Sequence, residues 1–188
     1  MTELEVPAPS HRERRVLPVV VLVLVMLTVL FGGYVVAGAL SEPAGPPVVV
    51  AGVLRVSPLS GWQLAGRATD PPGARLTRGS GNLDLAVVAF RGPAGALLRS
   101  YVTDVLEPDA SQLSLSSVEP VSLASGQRGV RVRYVGTFGD VQAPIEGQVS
   151  VVVSPTGRGI VFEGWAPSGL LQYVLDDIDT MIGRAEVS

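Results

Sequence analysis

The sequence has no cysteine, no lysine and a single histidine, His11. Without cysteine there can be no disulfide, no thiolate metal site and no lipid-modified cysteine. His11 stands near the start, ahead of a long uncharged run, so everything beyond Leu40 lacks His, Cys and Lys together. That excludes Ser-His-Asp and Cys-His nucleophile systems, Ser-Lys dyads and the usual zinc or copper ligand sets from this part of the chain. No Walker or dinucleotide-type glycine pattern occurs, and Gly79-Ser80-Gly81 is too narrow for a nucleophile elbow. No cofactor and no metal are expected. An excess of positive charge is missing too. Beyond Leu40, 14 carboxylates face 11 arginines, and this stretch carries the whole net charge of −3. A nucleic-acid binder needs a basic stripe, so none is expected as partner.

What is present is an uncharged run of 25 residues, Val16 to Leu40. As a helix it reaches roughly 37 Å, enough to cross a hydrocarbon core of about 30 Å with some tilt. The reading is therefore a tail over 1–15, a transmembrane helix over 16–40 in contact with the lipid bilayer, a Pro-rich linker over 41–47 and one extracytoplasmic domain over 48–188. Arg12, Arg14 and Arg15 precede the run, whereas beyond it the first charge is Glu42 and the first arginine Arg55. The positive-inside rule then places the N-terminus in the cytoplasm and the domain outside. Ala37-Gly38-Ala39 also fits a signal-peptidase site, so a secreted domain cleaved near Ala39 is the alternative. The apolar run before that site is longer than a usual signal core, which favours an uncleaved anchor. Gly33 and Ala37 have small-xxx-small spacing, although such residues are common in spans without specific pairing. Ser41 to Pro47, with three prolines, stretches about 20 Å at most and holds the domain near the membrane surface. The wealth of Ala, Gly, Pro and Val, with arginine as the sole long cation, fits a GC-rich bacterial source.

The domain alternates turns and apolar stretches. Val48 to Val56 reads as one buried strand. Trp62 to Ala68 resumes in extended form, with Trp62 and Leu64 on one face. Asp70-Pro71-Pro72-Gly73 stops it, and Ala74 to Thr77 is a short piece before an Arg78 to Asn82 hairpin connection. Leu83 to Phe90 is the return strand. Leu97, Leu98, Tyr101, Val102 and Val105 mark one face of a helix over 94–106. Leu113 to Leu123 is extended, with Pro120 suiting an edge or a bend. Arg128 to Phe138 alternates, Val130, Val132 and Tyr134 against Arg131 and Arg133. Ile145 to Val153 and Gly159 to Trp165 form a hairpin around Pro155-Thr156-Gly157. A last helix over 168–183 buries Leu170, Leu171, Val174, Leu175, Ile178, Met181 and Ile182 and turns Asp176, Asp177 and Asp179 to water. Strand hairpins grouped between two amphipathic helices predict an α+β domain, an antiparallel β-sheet with two packed helices.

Several of these features together resemble the PsbP-like and LpqN-like family of extracytoplasmic bacterial domains. They are a first strand running into Pro58 and Gly61-Trp62, a mid-domain helix with Leu97, Leu98 and Tyr101, the strand Gly129 to Tyr134, the hairpin Gly147 to Gly159, and a terminal helix ending Ile178 to Ile182. The resemblance covers 48–184. It implies an accessory or binding role and brings no catalytic residues with it. Family members are often lipoproteins, whereas this chain has no cysteine and carries an apolar span instead.

For chemistry only carboxylates remain. Asp140 with Glu146, or Glu163 with a neighbour, are the pairs for acid–base work, but their spacing does not favour it over solvated turn and strand residues. Asp176 and Asp177 diverge by about 100° on a helix, which argues against a shared cation site. Arg131 and Arg133, on one strand face, form a possible anion-binding row with Arg128 nearby; exposed alternation accounts for them equally well. Trp62 and Trp165, at strand ends beside Gly or Pro, either rim a ligand groove or pack at the edge of the core. The expected function is a non-catalytic, membrane-anchored binding or assembly module, with Arg131, Arg133, Trp62 and Trp165 as its binding surface and an envelope protein as possible partner. The alternative is a cell-envelope hydrolase using carboxylates only.

Overall fold

The computed structural model describes residues 45–139 and 144–188. The apolar run Val16 to Leu40, the tail before it and Asp140 lie outside the described residues. Among the described residues no helix is long and apolar enough to cross a membrane.

The chain begins with a small hairpin, β1 (Val48–Val50) and β2 (Leu54–Val56). The single strand expected over 48–56 is broken because Ala51 and Gly52 both take positive φ, 52° and 68°, and reverse the chain. Gly52 suits that turn, since no Cβ opposes a left-handed backbone there. Next come β3 (Gln63–Thr69), β4 (Pro72–Arg78) and β5 (Gly81–Ala89), a meander. The piece expected to be short, Ala74 to Thr77, is the middle of the full strand β4. Pro72 is tolerated because it is the first residue of its strand. Arg78 pairs with Gly81 around Gly79-Ser80, the expected hairpin. The face expected to hold Trp62 and Leu64 together does not form: Trp62 is buried just ahead of β3, whereas Leu64 is 45% exposed on the open edge strand.

Helix α1 (Ala94–Tyr101) passes into a π-helical turn, Val102–Leu106, and a last helical turn, Glu107–Asp109. The Glu107 N–H reaches back five residues to the Val102 carbonyl. Pro108 supplies the reason: it has no N–H for the carbonyl of residue 104, and its ring crowds that carbonyl, so the turn widens. The widening shifts the buried face, so that Leu106 is buried and Val105, expected in the core, is 44% exposed.

The stretch 113–123 divides into β6 (Ala110–Leu115) and β7 (Glu119–Ser122), both paired with β8 (Arg128–Phe138). Strands β9 (Ile145–Val153) and β10 (Arg158–Pro167) complete an eight-stranded antiparallel sheet with spatial order β3-β4-β5-β10-β9-β8-β6, β7 lying beside β6 on β8. The last helix is shorter than its apolar stripe predicts. A 3-10 turn, Leu171–Tyr173, precedes α2 (Leu175–Gly183), and Leu170, expected to be buried, is 40% exposed. A two-residue strand, β11 (Glu186–Val187), then joins β1 and β2 in a three-stranded sheet.

The large sheet is covered on both faces. On β10, Ile160, Phe162 and Ala166 point into one apolar cluster with α2 and the small sheet, while Val161 and Trp165 belong to a second cluster with α1. Two glycines let the helices approach. A Cβ on Gly164 would sit 2.8 Å from Ile178 of α2, and one on Gly159 would sit 2.7 Å from Leu97 of α1. The fold is α+β, antiparallel sheets with two helices packed on them.

Candidate functional site

The α1 face of the sheet carries a row of polar residues where apolar ones are the rule. Register pairs Arg75 of β4 with Asp84 of β5, and Asp84 with Glu163 of β10. Arg75 grips Asp84 through two bonds, Nε to Oδ1 at 2.6 Å and Nη2 to Oδ2 at 3.0 Å. The Trp165 Nε1–H donates to the same Asp84 Oδ2 at 2.9 Å, and the Arg75 guanidinium carbon lies 5.8 Å from the Trp165 ring centroid. The bond to Asp84 holds the Arg75 pKa above its ordinary value.

Glu163 sits next in the row and, among the described residues, has no basic partner of its own. Instead Tyr101 of α1 donates its hydroxyl to Oε2, and Tyr134 of β8 donates to Oε1, both at 2.6 Å. Burial pushes the Glu163 carboxyl above the usual range, against the lowering effect of the two tyrosine bonds. Burial, followed by the charge of Glu163, raises both tyrosines, so they remain O–H donors. Tyr134 reaches Glu163 by lying across Gly147 of β9, its register partner. A Cβ on Gly147 would overlap the Tyr134 ring, so glycine there makes the room.

Glu163 and Trp165 open into a cavity of about 430 Å³ between the π-helical turn and the β8–β9 end of the sheet. Its walls include Val105, Leu106, Phe138 and Ile145, with Asp109 at the rim. The volume is in the range of small-molecule sites, roughly 300–1,000 Å³.

Of the residues expected to form a binding surface, Trp165 alone lines this cavity. Trp62 belongs to the opposite cluster, where its Nε1–H donates to Asp177 Oδ2 at 2.9 Å and Arg78 pairs with the same oxygen. Arg131 and Arg133 also lie away from the cavity. Arg131 is held between Glu119 and Asp179, at 3.2 Å each, and Gln148 donates to Asp179 at 2.7 Å. Arg133 is exposed, and its side chain has no partner among the described residues. Two of the aspartates expected to face water are only partly exposed and also make bonds within the fold: Asp177 and Asp179 tie α2 to Trp62, Arg78, Arg131 and Gln148. Glu146, expected as a partner of Asp140, accepts instead from the Ser168 hydroxyl at 2.7 Å and the Gly169 N–H at 3.1 Å. The expectation that Glu163 is solvated is corrected by its burial. Among the described residues no group of three or more His, Asp or Glu is placed to hold a metal ion.

Sequence reasoning missed Tyr101, Tyr134, Asp84 and Arg75 as a group with Glu163. Two signals were there. Ile160 to Trp165 is a continuous apolar strand broken by one carboxylate, and both tyrosines fall on buried faces, where a hydroxyl needs an acceptor.

No family model matches the chain, and no curated protein matches it. Solved structures do. Cyanobacterial PsbP (CyanoP) from Synechocystis superposes with a TM-score of 0.55 at 18% identity, covering 76% of this chain and 92% of that one. The Ran-binding protein Mog1p of Saccharomyces cerevisiae gives 0.57 at 9% identity, over 78% and 96%. LpqN of Mycobacterium tuberculosis, involved in cell envelope biogenesis, gives 0.53 at 11% identity, over 78% and 86%. At such identities the likeness concerns the backbone, and the described domain has the PsbP-like fold that the resemblance implied.

Proposed function

We propose that the chain is a single-pass membrane protein whose extracytoplasmic domain is a non-catalytic binding or assembly module in the cell envelope. Tail 1–15, span 16–40, linker 41–47 and domain 48–188 are its parts. The observation that carries the reading is the state of Glu163. The half-buried carboxylate of Glu163 at the cavity has both oxygens occupied by tyrosine hydroxyls that stay protonated, and the domain offers no His, Cys or Lys to act beside it. Such a group orients and recognises; it lacks a proton-transfer partner near neutral pH. The neighbours in fold support the same direction, since one binds Ran and another takes part in cell envelope biogenesis.

Crosslinking of the full-length protein in native membranes, followed by pull-down, tests the reading. A stoichiometric envelope partner or a retained ligand is the expected result, and neither being found while the purified chain turns over substrate would overturn it. A carboxylate-only hydrolase is the rival, favoured by one observation: Glu163 and Asp109 line the same cavity. Turnover of a glycoside or ester panel, abolished by Glu163→Gln, would establish that rival instead.

A further inference from the structure

The cavity walls are specific about charge. Asp109 and Glu163 line it, and among the described residues no arginine or histidine does. Asp109 makes no side-chain hydrogen bond or ion pair among the described residues. Each Glu163 oxygen accepts one tyrosine hydroxyl, which leaves further acceptor capacity on both. The nearest cation, Arg75, is already committed to Asp84 by two bonds. Besides Gly139 and Tyr134, whose hydroxyl is committed to Glu163, the lining is apolar: Val105, Leu106, Phe138, Ile145 and Trp165. A half-enclosed site with uncompensated acids and an apolar wall disfavours anions and gains from a cation that brings its own apolar body. The net charge of −3 adds a field of the same sign.

We propose that this cavity binds an organic cation, a primary ammonium or a guanidinium carried on an apolar body, with the charge at Glu163 and Asp109 and the body against Trp165, Phe138 and Ile145. The proposal rests on the reading of the domain as a binding module. The cation comes either as a free amine or as an arginine or lysine side chain of another protein.

The groups that face Glu163 set its pH behaviour. They are Asp84 of β5, Arg75 of β4, Tyr134 of β8, Tyr101 of α1 and Asp109 at the rim; β9 contributes Val149 and Gly147, without charge. Protonation of Glu163 removes the attraction, so binding weakens toward acid pH.

The test is titration of the full-length chain in detergent micelles with 3-phenylpropylammonium, followed by calorimetry and tryptophan fluorescence. The isosteric 3-phenylpropanol and 3-phenylpropanoate serve as controls, and acetyl-Phe-Arg-amide presents the cation as a side chain. The cationic probes are expected to bind at least tenfold tighter than the alcohol. Glu163→Gln and Asp109→Asn should remove most of that preference while leaving the alcohol unchanged. Tighter binding of the free amine identifies a small-molecule site, and tighter binding of the peptide identifies a protein side chain; both support the assignment. Equal affinity for amine and alcohol, or no binding of any cation at millimolar concentration, overturns it. Should Glu163→Gln fail to fold, the exposed Asp109→Asn decides alone. A native-membrane partner that is still captured by Glu163→Gln, with no probe bound by the parent chain, overturns the cation assignment and leaves the module reading standing.

Discussion

Glu163 lies opposite Asp84 on the neighbouring strand, two carboxylates facing one another where like charges destabilise a sheet. Asp84 escapes the conflict through Arg75, while Glu163 is held by the two tyrosine hydroxyls and burial raises its pKa. The linkage has a definite sign. The folded-state pKa of Glu163 is raised above its ordinary 4.5. Its contribution to stability is complete below that value and is lost as pH rises through the folded pKa, because the folded state keeps a proton that the unfolded chain has released. One such group changes stability by at most about 1.4 kcal/mol per pH unit. Glu163→Gln has no proton to lose, so the variant should gain on the parent chain as pH rises above about 4.5. Urea unfolding from pH 4 to pH 8 reads this as a difference in midpoint that grows in favour of the variant. A difference that stays constant, or moves the other way, would show that the carboxyl is ionised and comfortable throughout.

At the level of elements, the junction of α1 with its π-helical turn decides which side chains wall the cavity. An unbroken α-helix over 94–106 would bury Val105; the wide turn ahead of Pro108 buries Leu106 and presents Val105 to the cavity and solvent. Leu106→Ala should therefore cost about 2–4 kcal/mol in a denaturant melt, the usual penalty for a buried leucine, whereas Val105→Ala should change stability by less than about 0.5 kcal/mol. Equal losses at the two positions would restore the regular helix. The same junction shows what the sequence made legible. Helix and strand locations follow from apolar period and from Gly and Pro punctuation, and most elements lie where those signals put them. The apolar run Val48 to Val56 conceals a turn because the Ala51-Gly52 pair sits among β-branched residues that favour extension on either side. The brief strand β11 has no local signal at all, since only pairing with β2 makes it a strand. The polar row on the α1 face depends on β4, β5 and β10 being neighbours. Nothing in the spacing of Arg75, Asp84 and Glu163 announces that adjacency, just as nothing joins Trp62 to Asp177, 115 residues away.

For the whole molecule, the proposal turns on which side of a membrane the domain occupies, and the chain is well suited to answer. It contains no cysteine, so any cysteine introduced is unique. Ser117 is exposed in the bend between β6 and β7, away from the cavity residues, and its replacement disturbs no side-chain bond. Ser10 belongs to the tail that precedes the apolar run. The three arginines between Ser10 and Val16, set against an arginine-free stretch from Leu40 to Leu54, argue for a cytoplasmic tail. A membrane-impermeant maleimide added to intact spheroplasts should then label Ser117→Cys fully, and label Ser10→Cys only after lysis. Both proteins should stay with the membrane fraction through a high-salt wash, because about twenty apolar residues in a bilayer are not displaced by screening charge. The reverse labelling pattern would invert the orientation and make the partner cytoplasmic. Recovery of Ser117→Cys from the medium, with an N-terminus at Leu40, would mean that the run is a cleaved leader. In that case the domain works free in the envelope.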